Sequence, residues 1–90
     1  MPHVFKDKPK LVARVRRIRG QMEALERALD QECACLEVMQ LVASIRGAMN
    51  GLMAELIEGH VEHHVAAPAA DADRRRGAAE LVGILRTYMK

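Results

Sequence analysis

The stretch LVARVRRIRGQMEALERAL, residues 11–29, decides the fold because its apolar residues recur at alternating spacings of four and three. These residues are Leu11, Val15, Ile18, Met22, Leu25 and Leu29. A repeat of this kind places apolar side chains along one side of an α-helix, where they can pack against other helices. The sequence therefore predicts a first helix that is capped by Asp7 and accepts Pro9 in its first turn.

A second stripe with the same spacing predicts a longer helix from about Cys35 to about His64. Its members are Val38, Val42, Ile45, Met49, Leu52 and Leu56. A strip of small residues beside it permits close approach of another helix: Ala43, Gly47, Gly51 and Ala54. The segment AAPAADAD, residues 66–73, is typical of a linker, and Asp71 or Asp73 would cap a short third helix. The sequence thus predicts one all-α domain over residues 1–90, a three-helix protomer.

The composition indicates a chain that completes its core by associating with copies of itself. Ninety residues are few for an independent core, and the aromatic residues amount to one Phe, one Tyr and no Trp. Met, Leu, Val and Ala must fill the interior, which suits helical dimers rather than β-sandwiches. No signal peptide and no membrane-spanning stretch is recognisable, so we expect a cytoplasmic protein without a membrane partner, in which Cys33 and Cys35 stay reduced.

Charge is segregated along the first helix. Between Lys6 and Arg19 there are seven basic residues and one acid, whereas Gly20 to Glu32 holds four acids and one arginine. A basic block of this kind favours a polyanionic partner, because a merely solvated helix face would carry mixed signs. The candidate contacts to such a partner are Lys10, Arg14, Arg16, Arg17 and Arg19.

Three of the four histidines lie in the stretch GHVEHHV, residues 59–65. His60 and His64 are four residues apart, so one helical face can present both to a metal ion, although a polar helix end would also carry such residues. The thiol of Cys35 lies about 37 Å away along the same helix, whereas metal ligands lie about 2 Å from the ion. One chain therefore cannot join them, but two copies packed antiparallel bring Cys35 of one chain to both histidines of the other.

The N-terminus supplies further candidate donors. His3 can complete the metal set because it precedes a helix that packs on the second helix, and the amine of Pro2 is a donor once the initiator Met is removed. Nitrogen and sulfur donors of this kind suit Ni(II), Co(II) or Zn(II). We expect Cys33 to be a spare thiol and His63 to face solvent, so neither is assigned as a ligand.

Three segments resemble the CsoR/RcnR family of bacterial transcriptional repressors: ARVRRIRGQMEALERAL at residues 13–29, ASIRGAMNGLMAELIEGH at residues 43–60 and LRTYMK at residues 85–90. The resemblance extends over essentially the whole chain. It implies an antiparallel helical dimer that assembles into a homotetramer and contacts operator DNA through positions such as Arg14 and Arg17, without a helix-turn-helix. It also implies an operator with a G/C tract flanked by short inverted repeats, released when an effector binds near Cys35 between protomers.

The branches of the family that the chain resembles differ in their effector. Nickel and cobalt sensors of the RcnR and DmeR type resemble it at His3, Cys35, His60 and His64. Formaldehyde sensors of the FrmR type resemble it at Pro2 and Cys35, while copper sensors would have a second Cys in place of His64. The leading prediction is thus a Ni(II)- or Co(II)-responsive repressor, with Zn(II) also compatible, and the alternative is a formaldehyde-responsive repressor.

Two other classes of protein fit the residues less well. An enzyme would need a third group to orient a pair of Cys35 and a histidine, and neither such a group nor a phosphate-binding loop is recognisable. A metal-storage protein would explain the histidines and cysteines but not the arginine block of the first helix. We therefore expect a DNA-binding regulator and not an enzyme.

Overall fold

A computed structural model describes residues 7–88, and every regular element in that range is helical. The elements are α1 at Lys8–Asp30, α2 at Cys35–His60, a π-helical segment at Val61–Ala66 and α3 at Asp71–Tyr88. The prediction of an all-α chain with three helices is confirmed. No helix within residues 7–88 combines the length and the apolar character that a membrane span requires. The predicted roles of Pro2 and His3 fall outside the described residues.

Helix α1 begins where the sequence predicts, but Asp7 does not cap it in the predicted way. Asp7 occupies the N-cap position, and Pro9 lies in the first turn, where its missing N–H group costs no hydrogen bond. The side chain of Asp7 makes no capping hydrogen bond, whereas its backbone carbonyl accepts the N–H of Leu11 at 3.0 Å. The side chain therefore contributes a negative charge near the helix N-terminus rather than a cap.

A Schellman motif ends α1. The N–H of Cys33 donates to the carbonyl of Ala28 at 3.0 Å. The N–H of Glu32 donates to the carbonyl of Leu29 at 3.2 Å, which completes the hydrogen-bond pair of this motif. Glu32 has a φ of 53°, in the left-handed region that glycine usually occupies in this motif. The turn leads directly to Cys35, the first residue of α2.

The chain forms two compact units, one ending at Met53 and the other beginning at Ala54, so α2 contributes to both. In the first unit, a hydrogen bond from Gln21 Nε2 to Ser44 Oγ, 3.0 Å long, connects α1 with the N-terminal part of α2. In the second unit, α3 packs against the π-helical segment. The candidate nucleic-acid contacts belong to the first unit and the three clustered histidines to the second.

The predicted α-helical geometry up to His64 is wrong for the last residues of that range. The α-helix ends at His60, and the chain continues as a π-helix for six residues. A π-helix has hydrogen bonds between residues five apart, so its turns are wider than α-helical turns. Side chains after His60 therefore point in directions that an α-helical projection does not give.

Helix α3 begins with Asp71 as its first helical residue and not as its cap, and it continues for 18 residues. Three exposed ion pairs lie in its first turns: Arg74 with Asp71 at 3.2 Å, Arg75 with Asp71 at 3.2 Å and Arg76 with Asp73 at 3.4 Å. Pairs of this kind stabilise a helix only slightly because solvent screens them. They do, however, neutralise part of the charge that the three arginines would otherwise present.

Much of both apolar stripes is exposed in the single chain. In α1, Val15, Met22 and Leu29 are 51%, 51% and 59% exposed. The exposed apolar side chains of α2 are Leu36, Met39, Val42 and Met49. Within residues 7–88, the buried apolar side chains are those of Ala28 and Ile45, and both keep a small exposed fraction. Contiguous exposed apolar surface of this kind is typical of a protein that associates with another chain.

Candidate functional site

The π-helical segment begins between two of the clustered histidines. His60 is the last residue of α2, and His64 follows within the segment. Their ring centroids are 4.8 Å apart and their planes are tilted by 35°. The structure thus brings these two imidazoles together, although the turn between them is π-helical and not α-helical. Single π-helical turns are frequent at functional sites.

One ring nitrogen of His60 is held by α3. Its Nε2 atom lies 2.8 Å from the backbone carbonyl oxygen of Gly77. A carbonyl oxygen can only accept, so Nε2 donates its proton, and the tautomer compatible with this contact has its lone pair on Nδ1. Metal-binding histidines commonly show this arrangement, because the second nitrogen then fixes the ring by donating to a carbonyl or carboxylate. The contact with Gly77 therefore fixes the orientation of the His60 ring and leaves Nδ1 as the nitrogen that does not face this carbonyl.

The backbone of α3 also lies against His64 at the same glycine. A Cβ atom added to Gly77 would overlap the carbonyl oxygen of His64 and lie 2.7 Å from its carbonyl carbon. Gly77 is buried, and a larger residue would fit only if one of the two segments moved. One glycine therefore positions both histidines, one through its carbonyl group and the other through the space that it leaves open.

The prediction that His63 faces solvent is wrong. The residue is half-buried, and its Nε2 atom is shielded from solvent. The prediction assumed the α-helical rotation of about 100° per residue. Residues 61–66 follow the wider π-helical path instead, so the side chain points elsewhere.

Cys35 and His60 are the first and the last residue of α2. Cys35 is exposed, Cys33 is half-buried, and both are free thiols. Within residues 7–88 of one chain, no three His, Cys, Asp or Glu side chains lie close enough together to hold a metal ion. A metal site that includes His60 and His64 would therefore need a further donor from another chain or from the N-terminal residues outside the described range.

The candidate nucleic-acid contacts differ in their exposure. Four are exposed, namely Lys10, Arg16, Arg17 and Arg19, whereas Arg14 is half-buried and its Nε atom is shielded from solvent. Arg14 and Arg17 line a cleft of about 250 Å³. The other residues around this cleft are Ile18 and Gln21 of α1 and Ser44 and Ala48 of α2. The basic residues of α1 thus form an exposed surface beside this cleft, and Arg14 lies in the wall of the cleft.

Sequence reasoning missed the roles of two glycines. Gly77 interrupts a helical pattern, which is a recognised sign of close packing, but its contact with His64 depends on tertiary structure. Gly51 was grouped with other small residues as a helix-packing surface, whereas its neighbour in the structure is the guanidinium of Arg14. The sequence also contains a second basic run, Arg74 to Arg76, whose arginines pair with Asp71 and Asp73 in the structure.

Comparison with known proteins identifies a family that accounts for these features. A family model described as metal-sensitive transcriptional repressor matches residues 7–87. The transcriptional repressor RcnR of Salmonella typhimurium is 41% identical over 90 residues, which are the whole of both chains. A protein of Serratia marcescens without an assigned function is 53% identical over 91 residues, again over the full length of both chains.

Two solved structures have the same fold. A variant of the formaldehyde-responsive regulator FrmR from Salmonella enterica serovar Typhimurium matches with a TM-score of 0.86 and 45% identity, covering 97% of this chain and 99% of the other. The copper-sensing repressor CsoR with Cu(I) from Geobacillus thermodenitrificans matches with a TM-score of 0.87, covering 100% and 94% of the two chains. At 20% identity, this second match supports the fold alone. The family consists of repressors and not of enzymes, and its members bind operator DNA as oligomers. By sequence and by structure, the chain belongs to the CsoR/RcnR family of metal-sensitive transcriptional repressors.

Proposed function

We propose that the chain is a repressor that releases its operator when Ni(II) or Co(II) binds at Cys/His sites between subunits. The observation that carries this proposal is the arrangement of His60, whose Nε2 donates to Gly77 while its ring lies 4.8 Å from that of His64. Two imidazoles side by side, one of them with a fixed tautomer, form half of a typical metal site. A relative named RcnR that is 41% identical over its full length supports the same conclusion.

The remaining donors would come from Cys35 of a second chain and from His3. Cys35 is exposed at the start of α2, so its thiol is accessible to another subunit. Three imidazoles and one thiolate are borderline-soft donors, which suit Ni(II) and Co(II) and are also compatible with Zn(II). The metal would supply positive charge and a fixed coordination geometry that ties two chains together. The chain's own residues would supply the oriented ligands.

The assembly that we propose is an antiparallel dimer of α2 helices that pairs into a homotetramer. The exposed apolar residues of α1 and α2 provide the surface that such an assembly would cover. A twofold axis across α2 would place the first residue of one copy beside the last residue of the other. Each dimer would then contain two equivalent sites, each with Cys35 from one chain and His60 and His64 from the other.

Operator DNA would bind the basic face of α1, in the cytoplasm. The proposed contacts are Lys10, Arg14, Arg16, Arg17 and Arg19. Contacts of arginine and lysine to phosphates dominate affinity and make it fall steeply with salt concentration. Since the family resemblance implies DNA binding without a helix-turn-helix, specificity would depend partly on the shape of the duplex.

Release of the operator would occur because metal binding and DNA binding require different positions of α1. His3 precedes α1, and α1 carries the proposed DNA contacts, so drawing His3 into a metal site would displace the basic face. A coupling free energy of about 1–3 kcal/mol is typical of allosteric proteins and corresponds to a change in DNA affinity of roughly 5–150-fold. Replacing His3 should therefore weaken the metal response and leave the DNA affinity of the metal-free protein intact.

A formaldehyde-responsive repressor is the second candidate. The solved FrmR variant, named for a formaldehyde-responsive regulator, is 45% identical over 97% of this chain, and the thiol of Cys35 is exposed. In this mechanism the thiol of Cys35 and the amine of Pro2 from a neighbouring chain would add to the aldehyde carbon. One methylene bridge forms between sulfur and nitrogen, and one water molecule leaves with the aldehyde oxygen and the two protons.

One titration separates the two candidates. A preformed complex of the protein with a labelled duplex, carrying a G/C tract flanked by inverted repeats, receives Ni(II), Co(II), Zn(II), Cu(I) or formaldehyde in separate samples. Fluorescence anisotropy reports release. We expect Ni(II) and Co(II) to release the duplex at the lowest concentrations. Release by formaldehyde with no response to any metal would refute the metal proposal in favour of the second candidate.

A further inference from the structure

Two glycines one turn apart in α2 have different surroundings. A Cβ atom added to Gly51 would lie 3.0 Å from Nη1 of Arg14 and 3.9 Å from its Cζ. A Cβ atom added to Gly47 would have nothing within 4 Å. Glycine weakens the interior of any helix, and of these two glycines only Gly51 has a neighbouring side chain that makes use of the missing Cβ atom. The guanidinium of Arg14 lies beside Gly51, and a side chain at position 51 would crowd it.

Arg14 is held in a defined place rather than extended into solvent. It is half-buried, and its guanidinium lies at α2 while its backbone belongs to α1. The hydrogen bond from Gln21 to Ser44, 3.0 Å long, joins the same two helices at the wall of the same cleft. The position of α2 relative to α1 within this unit therefore determines where the charged end of Arg14 lies.

The cleft that Arg14 and Arg17 line has the chemistry of a phosphate site. Its volume is about 250 Å³, and Gln21 and Ser44 add neutral polar groups to the two guanidinium groups. Arginine recognises phosphate through a planar fork of N–H donors, so its contribution depends on the orientation of the guanidinium as well as on its charge. A displacement of the fork by a few tenths of an ångström would therefore weaken a contact without removing the charge.

We propose that Gly51 is a positioning residue for DNA binding, because its missing side chain lets the guanidinium of Arg14 lie at the cleft and contact a phosphate of the operator. This inference rests on the proposed function, in which the basic face of α1 binds DNA. Gly51 itself touches no DNA and acts through Arg14. An alanine at position 51 requires the guanidinium to shift by a few tenths of an ångström, which is sterically possible because the end of an arginine side chain is flexible.

The test compares Gly51→Ala with Gly47→Ala, which is a matched control on the same helix. Both changes replace a helix-interior glycine with the best helix former, so both variants should unfold at the same urea concentration as the wild type or at a higher one. For Gly51→Ala we expect about tenfold weaker binding to the labelled duplex. Because Arg14 keeps its charge, we expect the slope of log K against log salt to stay close to that of the wild type, unlike the lower slope expected when a basic residue is removed. For Gly47→Ala we expect the affinity and slope of the wild type.

The same changes in an Arg14→Ala background determine whether the effect passes through Arg14. We expect Gly51→Ala to have no further effect on DNA affinity there, since the group that it displaces is missing. An equal loss in both backgrounds, or equal affinities for Gly51→Ala and Gly47→Ala, would overturn the positioning role. Either result leaves the metal-responsive repressor intact. Failure of the wild type to bind the duplex refutes the proposed function and this inference together. Failure of metal to release a bound duplex refutes the metal response and leaves the positioning role of Gly51 standing.

Discussion

The Nε2 atom of His60 and the carbonyl oxygen of Gly77, 2.8 Å apart, connect the last residue of α2 to α3. Gly77 also lies against the backbone of His64, so a single glycine contacts both members of the imidazole pair. Substitutions at this glycine and at the histidines therefore test different properties. The glycine controls packing, and the histidines control the proposed metal response.

Gly77→Ala should destabilise the chain because the added methyl group overlaps the carbonyl oxygen of His64. Overpacking of this kind typically lowers the free energy of unfolding by about 1–3 kcal/mol. Urea denaturation at a fixed protein concentration measures the change. Gly83→Ala on the same helix is the control, because a Cβ atom there has nothing within 4 Å. It should be neutral or stabilising by up to about 1 kcal/mol. Equal effects of the two changes would contradict the close packing at Gly77.

His64→Ala should reduce the affinity for Ni(II) and Co(II), because the variant lacks one of the proposed ligands. Loss of an outer-shell partner of a metal ligand typically costs about 10–100-fold in affinity, and loss of a ligand should cost at least as much. The measurement is competition against a chromophoric chelator, with DNA release as a second readout. DNA affinity without metal should not change.

His63→Ala is the control for that substitution, because His63 lies in the same π-helical segment but is not a proposed ligand. It should retain metal affinity within about twofold, well inside the loss expected for a ligand. A loss as large as that of His64→Ala would show that His63 belongs to the metal site and that the proposed ligand set is wrong.

Glu32→Gly should stabilise the fold. Glu32 has a φ of 53°, and the left-handed region costs a non-glycine residue about 1–2 kcal/mol. Glycine avoids this strain but loses more backbone freedom on folding, so we expect a net gain of about 0.5–1 kcal/mol in the free energy of unfolding. Glu23→Gly, an exposed change inside α1, should instead lower it by about 0.5–1 kcal/mol. Chemical denaturation of both variants should therefore give shifts of opposite sign.

Arg17→Ala should weaken DNA binding and its dependence on salt together. Each phosphate contact contributes a release of counterions, so the slope of log K against log salt should fall by roughly 1 for each protomer in contact. Arg27→Ala serves as the control, since Arg27 lies in the last turn of the same helix, beyond the basic block. An unchanged slope for Arg17→Ala would remove it from the DNA-binding face.

The helices could be predicted because periodic apolar residues determine where a chain can form an amphipathic helix. The stripes that begin at Leu11 and Val38 led to α1 and α2 within a few residues of their observed ends. The details of the ends could not be predicted. Asp7 is a typical capping residue that makes no capping bond, and Glu32 occupies a position where glycine is expected. Local conformations of this kind depend on how the following segment packs.

The candidate site was predictable only as a set of residue types. The spacing of His60 and His64 was sufficient to place the two rings together, because helical turns of either kind bring such positions close. The position of His63 was not predictable, since an α-to-π transition leaves no periodic signal over six residues. Gly77 contacts His64, 13 residues away, and Gly51 contacts Arg14, 37 residues away. Contacts between residues so far apart in sequence cannot be predicted from a local sequence pattern.

The single chain has a small interior, since Ala28 and Ile45 are the buried apolar side chains among residues 7–88. Its stability should therefore depend on its concentration. If copies of the chain cover one another, dilution favours unfolding by mass action, and the melting temperature should rise with protein concentration. A cell with few molecules would then lose them to proteolysis before they could occupy a promoter. The number of copies per cell would then set a minimum concentration for repression, and this minimum would not depend on the effector.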